Sequence, residues 1–192
     1  GFWQIKKSVG DLEITAGSFY DQFGSGMLFR AYENRLIGID YAIEGVRVKY
    51  NISENLVAKA FTGKQKGFQD NRFGSSPQII KGINLEKGIS FEDGTFLNFG
   101  VSGINRTLDE ASMSALVTEI NAMPLEDRFL PKYNVYGANA YFDLNWQDFG
   151  INAEYNYKTN EAIRDNVGNL FSSDGSIFLG GVSYSKRKLG KD

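Results

Sequence analysis

The chain has 192 residues and a formal net charge of −2, with 42% hydrophobic and 14% aromatic residues, 22 Gly, 3 Pro and neither Cys nor His. The near-neutral charge excludes a basic nucleic-acid-binding field, and the missing Cys and His exclude thiolate nucleophiles, Ser-His hydrolase chemistry and the usual zinc ligand sets within this chain. No run of 18 apolar residues encodes a transmembrane helix, and no signal peptide is visible.

The opening GFWQIKK already reads like the middle of a strand, so further residues are expected before it, and a first strand is placed near 2–8. In the second, 12–19, Leu12, Ile14 and Ala16 alternate with Glu13, Thr15 and Gly17. The third, 41–52, sets Val46, Val48, Tyr50 and Ile52 against Arg47, Lys49 and Asn51. In the fourth, 56–65, Leu56, Ala58 and Ala60 share one side, but Val57 and Phe61 share the other with Lys59. A fifth strand is read at 78–90 and a sixth at 95–105, where Leu97, Phe99 and Val101 alternate with Asn98, Gly100 and Ser102. The stretch 107–124 breaks this pattern. Thr107 with Glu110 has the form of a capping box, Met113, Leu116, Val117 and Ile120 make one helical face, and Pro124 stops the run, so a short helix is expected in a loop.

The cleanest alternation comes next. Across 132–145 and 149–159, Tyr136, Ala138, Ala140, Phe142, Leu144 and Trp146, then Phe149, Ile151, Ala153 and Tyr155, occupy one face. Gly137, Asn139, Tyr141 and Asp143, then Asn152 and Glu154, occupy the other. A last strand, 175–186, rests on β-branched and aromatic content. Period-2 alternation is the signature of strands with one apolar and one polar face.

The connections alternate too. The links VGD, SEN, FEDG and WQD are short, whereas 20–40, 66–77, 106–131 and 160–174 are long. In an antiparallel meander all short turns then share one end and all long loops the other. That is the asymmetry of an outer-membrane barrel, with short periplasmic turns and long extracellular loops. Tyr136 to Trp146 is ten residue steps, roughly 33 Å at ~3.3 Å per residue, which a tilt of about 40° projects onto the ~25 Å apolar band. Aromatics near both ends suit the interfacial girdles. The expected fold is therefore all-β: an antiparallel up-and-down transmembrane β-barrel in a single domain over 1–192. Nine strands are an odd number, which makes the chain a fragment of a larger, even-stranded barrel. A soluble sandwich or lipocalin-like barrel alternates as well, but with its apolar face inward.

Phe19 to Tyr50 carries the most distinctive order of residues: FGSG at Phe23–Gly26, Arg30, the pair Ile39-Asp40, and EGVRVKY from Glu44 to Tyr50. This stretch resembles a Bacteroidota outer-membrane β-barrel family of uncharacterised function. Ser176–Gly190 looks like the same family's later strand, and the order is similar to that of porin-like alginate-export proteins. The resemblance implies residence in a bacterial outer membrane and supplies no ligand or catalytic residues. The charge mix of 20–40 suits a loop folded into a lumen, where such charges set selectivity. Arg30, Glu33, Arg35 and Asp40, with Arg47 and Lys49 of the wall, are the candidate constriction residues. Part of 20–40 is expected inside the lumen, pairing with Glu13, Arg47 or Lys49. The acidic loops FQDNRFGSS and FSSDGS lack the ligand spacing of known calcium loops, so no metal, cofactor or catalytic residue is assigned.

Two function classes follow: a porin-like channel or binding protein for a polar solute, and a non-conducting structural or accessory subunit of a secretion or nutrient-uptake assembly. A soluble β-barrel binding module is a further alternative. The expected partners are the lipid bilayer of the outer membrane and, under the second class, other surface-complex subunits, with no nucleic acid.

Overall fold

A computed structural model describes residues 2–66 and 75–186. Nine strands build one antiparallel sheet in the order β1 (Gln4–Val9), β2 (Leu12–Phe19), β7 (Ile43–Ser53), β8 (Leu56–Lys66), β9 (Ser75–Ser90), β10 (Phe96–Thr107), β11 (Asn134–Trp146), β12 (Phe149–Arg164) and β13 (Leu170–Tyr184). Every pair along it is antiparallel. The short turns at 10–11, 54–55, 91–95 and 147–148 therefore share one end of the sheet, as the alternation of link lengths predicts. β1 and β13 are its two edges, and no described residue of one pairs with the other. The sheet is open rather than closed on itself.

Between β2 and β7 the segment expected as a loop folds into two small hairpins, β3 (Asp21–Phe23) with β4 (Phe29–Ala31), and β5 (Glu33–Asn34) with β6 (Ile39–Asp40). A 3-10 turn, Arg35–Ile37, joins β5 to β6. The second long link, 66–77, falls mostly outside the described residues, and with it most of FQDNRFGSS. The third carries helix α1 (Glu110–Ala122). Its N-cap is Asp109, whose side chain accepts from the Ser112 backbone N–H, rather than Thr107. The Thr107 hydroxyl is engaged instead with Asn105 and Asn134. Met113 and Ile120 are the buried part of the predicted apolar face, while Val117 is exposed. Arg164 at the end of β12 donates to both carboxylate oxygens of Glu119, each at 2.6 Å, and ties the helix to the link before β13.

The two faces of the sheet differ by register. Tyr50, Ala58, Leu85, Val101, Ala140, Tyr155 and Phe178 lie side by side across seven strands, β7 to β13. One residue along, Lys49, Lys59, Asn84, Ser102, Asn139 and Asn156 form the matching row on the opposite, concave face. Burial follows the rows in an unusual sense. Along β11, Tyr136, Ala138, Ala140 and Phe142 are exposed, whereas Val135, Gly137, Asn139 and Tyr141 are buried. Asn84, Ser102, Asn139, Glu154 and Asn156 are buried polar residues, while Ile14, Val46, Ile83, Val101 and Phe178 are exposed. Apolar surface outside and polar surface inside inverts the soluble arrangement.

The compact apolar cluster lies on the concave face. Phe19, Ile43 and Phe61 of the wall pack with Phe23, Phe29 and Ala31 of the β3–β4 hairpin. Phe29 stacks on Phe61 with ring centroids 4.6 Å apart, and Phe23 lies 5.1 Å from Phe29. The outer face carries its aromatics toward the ends of the strands. Trp146, Phe149 and Tyr184 form a chain of ring contacts at the short-turn end, and Tyr136 and Tyr157 stand toward the other.

Candidate functional site

The β3–β4 hairpin is the device that fills the concave face. After Phe19 the chain turns inward, runs through Asp21–Phe23 and reverses at Gly24-Ser25-Gly26. Gly24 (φ 52°) and Gly26 (φ 89°) both adopt the left-handed backbone that glycine reaches without strain. The Gly26 N–H donates to the Phe23 carbonyl at 2.9 Å and closes the turn.

Both ends of the hairpin are clamped. At its base, Asp21 accepts from Arg47 Nη1 at 3.3 Å and from Lys59 Nζ at 3.2 Å. Arg47 also donates to Glu13 Oε1 at 3.2 Å and to the Tyr20 carbonyl at 3.3 Å. At the tip, the Ser25 N–H donates to Glu154 Oε2 at 2.7 Å, while Asn139 Nδ2 donates to Glu154 Oε1 at 2.8 Å. The hairpin therefore crosses the concave face from β7–β8 to β11–β12. Beneath the tip, the Tyr141 hydroxyl reaches Glu86 Oε2 at 2.8 Å and Asn84 Oδ1 at 3.1 Å.

Small residues make room for this crossing. A Cβ on Gly24 would lie 2.8 Å from Glu154 Oε2 and 2.9 Å from the Tyr141 ring. One on Gly137 would meet Leu28 at 2.7 Å, and one on Gly82 would press on Phe61 and lie 3.0 Å from Phe23 of the hairpin. Contacts that short are repulsive, so wall and hairpin are shaped for each other.

The candidate constriction residues separate into two groups. Arg47 sits at the centre of the base clamp. Lys49 stands in register between Glu13 and Lys59 on the same face. Asp40 closes the return of the segment to the wall: it accepts from the Tyr20 hydroxyl at 2.9 Å and the Ala42 N–H at 3.2 Å, and forms an ion pair with Lys66. Burial works against the Asp40 charge, but the hydrogen bonds from Lys66 and Tyr20 outweigh it and hold the carboxyl below its usual range. Burial and the same Asp40 contact push the Tyr20 phenol upward. Glu33 and Arg35, by contrast, pair with each other at 3.1 Å beside the 3-10 turn, and the Arg35 side chain is 86% exposed. They do not join the clamp. Arg30 is exposed, with its guanidinium 4.6 Å above the Tyr32 ring.

Of the residues expected to face lipid, Tyr136, Ala138, Ala140, Phe142, Trp146, Phe149 and Tyr155 are exposed, and Leu144, Ile151 and Ala153 are half-buried. Asp21, Lys59 and Lys66 belong to the site without having been singled out. Asp21 looked like one loop charge among several, and Lys59 lay in the strand with the least regular alternation.

No helix among the described residues is long and apolar enough to cross a membrane, which leaves spanning by strands open. Among the described residues no group of three or more Asp, Glu, His or Cys is placed to hold a metal. No curated protein matches the chain in sequence. Over residues 1–192 the chain matches DUF6029, a family of unknown function, and it belongs to that family.

Proposed function

We propose that this chain forms part of the wall of a bacterial outer-membrane β-barrel whose polar lumen is narrowed by the β3–β4 hairpin, and that it passes or holds a polar solute. The observation that carries this reading is the inverted burial of the sheet. The outer face carries a band of Val, Ile, Leu, Ala and aromatic side chains, whereas the covered face carries Asn, Ser, Lys, Glu and Tyr around the apolar cluster that seats the hairpin. Soluble monomers rarely leave so large a contiguous apolar surface in water, and the residues that a soluble barrel would bury face outward here. Trp146, Phe149 and Tyr184 at one end, with Tyr136 and Tyr157 toward the other, have the placement of interfacial girdles. The resemblance of Phe19–Tyr50 to Bacteroidota outer-membrane barrels and porin-like proteins accords with this reading.

The test is reconstitution in planar bilayers. The parent protein is expected to conduct weakly, and replacement of 22–30 by a short Gly-Ser linker to raise conductance. A protein that stays monomeric in detergent-free buffer and ignores lipid vesicles overturns the membrane reading.

One observation favours a second reading, a non-conducting accessory subunit of a surface assembly. The hairpin is fastened at both ends, and its Phe23, Phe29 and Ala31 pack in one apolar cluster with Phe19, Ile43 and Phe61 of the sheet. A plug built that way blocks flow. Insertion into bilayers with no conductance from either the parent or the linker variant selects this reading.

A further inference from the structure

On the long-loop side of the hairpin, the concave face of β9 to β13 holds a separate cavity of 510 Å³. This volume is in the range of small-molecule sites. Most of its surface is apolar, supplied by Leu28 and Phe29 of the hairpin segment and by Ile80, Ile104 and Ile177 of the wall. Arg30, Arg106, Lys158 and Glu161 also line it.

A β-bulge gathers three of these charges. In a regular strand Lys158 and Glu161, three residues apart, would point to opposite faces. The register of β12 against β13 shifts between them, and bulges of this kind re-aim side chains. Glu161 pairs with Lys158 at 3.0 Å and also with Arg106. Thr159, inside the bulge, ties itself to the neighbouring backbone: its hydroxyl accepts from the Tyr136 N–H at 2.9 Å and donates to the Tyr136 carbonyl at 3.3 Å.

The result is an excess of positive charge against apolar walls. One carboxylate serves two cations, and Arg30 adds a third with no carboxylate within 4.0 Å among the described residues. Asn156 also lines the cavity. It is only 5% exposed; its amide nitrogen faces the Glu154 carboxylate, and its amide oxygen has no hydrogen-bond partner. A buried amide oxygen left unpaired is costly unless something enters to meet it.

We infer that this cavity binds a small organic anion with an apolar body, a carboxylate-bearing amphiphile. Its carboxylate sits among Arg30, Arg106 and Lys158, its body lies on Leu28, Ile80, Ile104 and Ile177, and Asn156 meets a polar group on it. The inference names the solute class for the proposed lumen and rests on the concave face being the solute-facing side.

The test is fluorine NMR of the full chain in amphipol, with para-fluorophenylbutyrate as the probe and its primary amide as the neutral isostere. The carboxylate is expected to broaden saturably and to bind at least about tenfold tighter than the amide, as a charge-assisted contact requires. Arg30→Gln, an exposed change that leaves the ion-paired triad intact, is expected to weaken the carboxylate and spare the amide. Glu161→Gln is expected to tighten the carboxylate, because the competing internal anion is gone. Equal affinity for acid and amide, no saturable binding of the acid, or an Arg30→Gln variant that binds the acid as the parent does overturns the inference. A Glu161→Gln variant that folds and binds no more tightly overturns it as well. Binding is read here without a bilayer. A negative result therefore leaves the membrane reading standing, and failed bilayer insertion leaves a positive result standing.

Discussion

At the residue scale, two positions carry consequences that single substitutions can reach. Gln147 is the one non-glycine residue among those described with a positive φ, 52°, in the tight turn between β11 and β12. The left-handed backbone costs an L-residue roughly 1–2 kcal/mol, part of which glycine's greater unfolded-chain entropy offsets. Gln147→Gly is therefore expected to stabilise the fold by about 0.5–1 kcal/mol, read as a higher denaturant midpoint at unchanged slope. Asp40 is the second. Its carboxyl titrates below its ordinary value of 3.8 because Lys66 and Tyr20 hold the charged form. A carboxylate with a depressed folded-state pKa contributes stability that is present above the ordinary value and lost as pH falls through the folded one. The parent should lose stability below about pH 4 on that account, and Asp40→Asn should be less stable at neutral pH but flatter in acid. Unfolding free energy measured from pH 3 to pH 7 checks this; equal acid slopes in the two proteins would contradict it.

At the element scale, the strands were legible because one face of each touches a single kind of surroundings. Leu12–Phe19 begins and ends where the alternation does, and β11 and β12 start within two residues of their expected positions. The hairpins of 20–40 were not legible, because their pairing depends on partners far along the chain. Phe23 is buried by Phe61, and Ser25 is held by Glu154; no local period records either. The helix start was misplaced for a related reason. Thr107 and Asp109 both suit an N-cap, and the strand partner Asn134 claims the first. The face assignment gives the prediction proper to this scale. Ala140→Arg on the outer face is expected to cost about 2–4 kcal/mol in bilayers. Asn139 is no mild control, since it is buried beneath the hairpin tip and donates to Glu154. Asn152, on the concave face yet exposed, serves instead, and Asn152→Arg should change stability by under about 0.5 kcal/mol. Equal losses from both changes would reverse the faces.

At the scale of the whole molecule, the concave face is organised by one cation. Arg47 holds Glu13 and Asp21 together and fixes the base of the hairpin. Under the proposed channel reading, Arg47→Gln removes one positive charge and leaves Glu13 and Asp21 with Lys6 and Lys59 beside them. Reversal potentials across a salt gradient should shift toward cation selectivity. An unchanged reversal potential in a variant that still conducts would place the ion path elsewhere. Removal of Arg35, which is solvent-facing and paired to Glu33, should leave selectivity unaltered.

The hairpin tip also sets an order in time. Ser25 and Glu154 are 129 residues apart in sequence, and their contact can form only after β11 and β12 have joined the sheet. Contacts of such long sequence separation carry a large closure entropy and tend to form late. The nascent sheet therefore passes through a stage in which the face that the hairpin covers is still bare and the 20–40 segment is still searching for its seat. Pulse-labelled hydrogen exchange during refolding should find the backbone amides of β7 and β8 protected before that of Ser25, and simultaneous protection would mean that sheet and hairpin assemble as one unit.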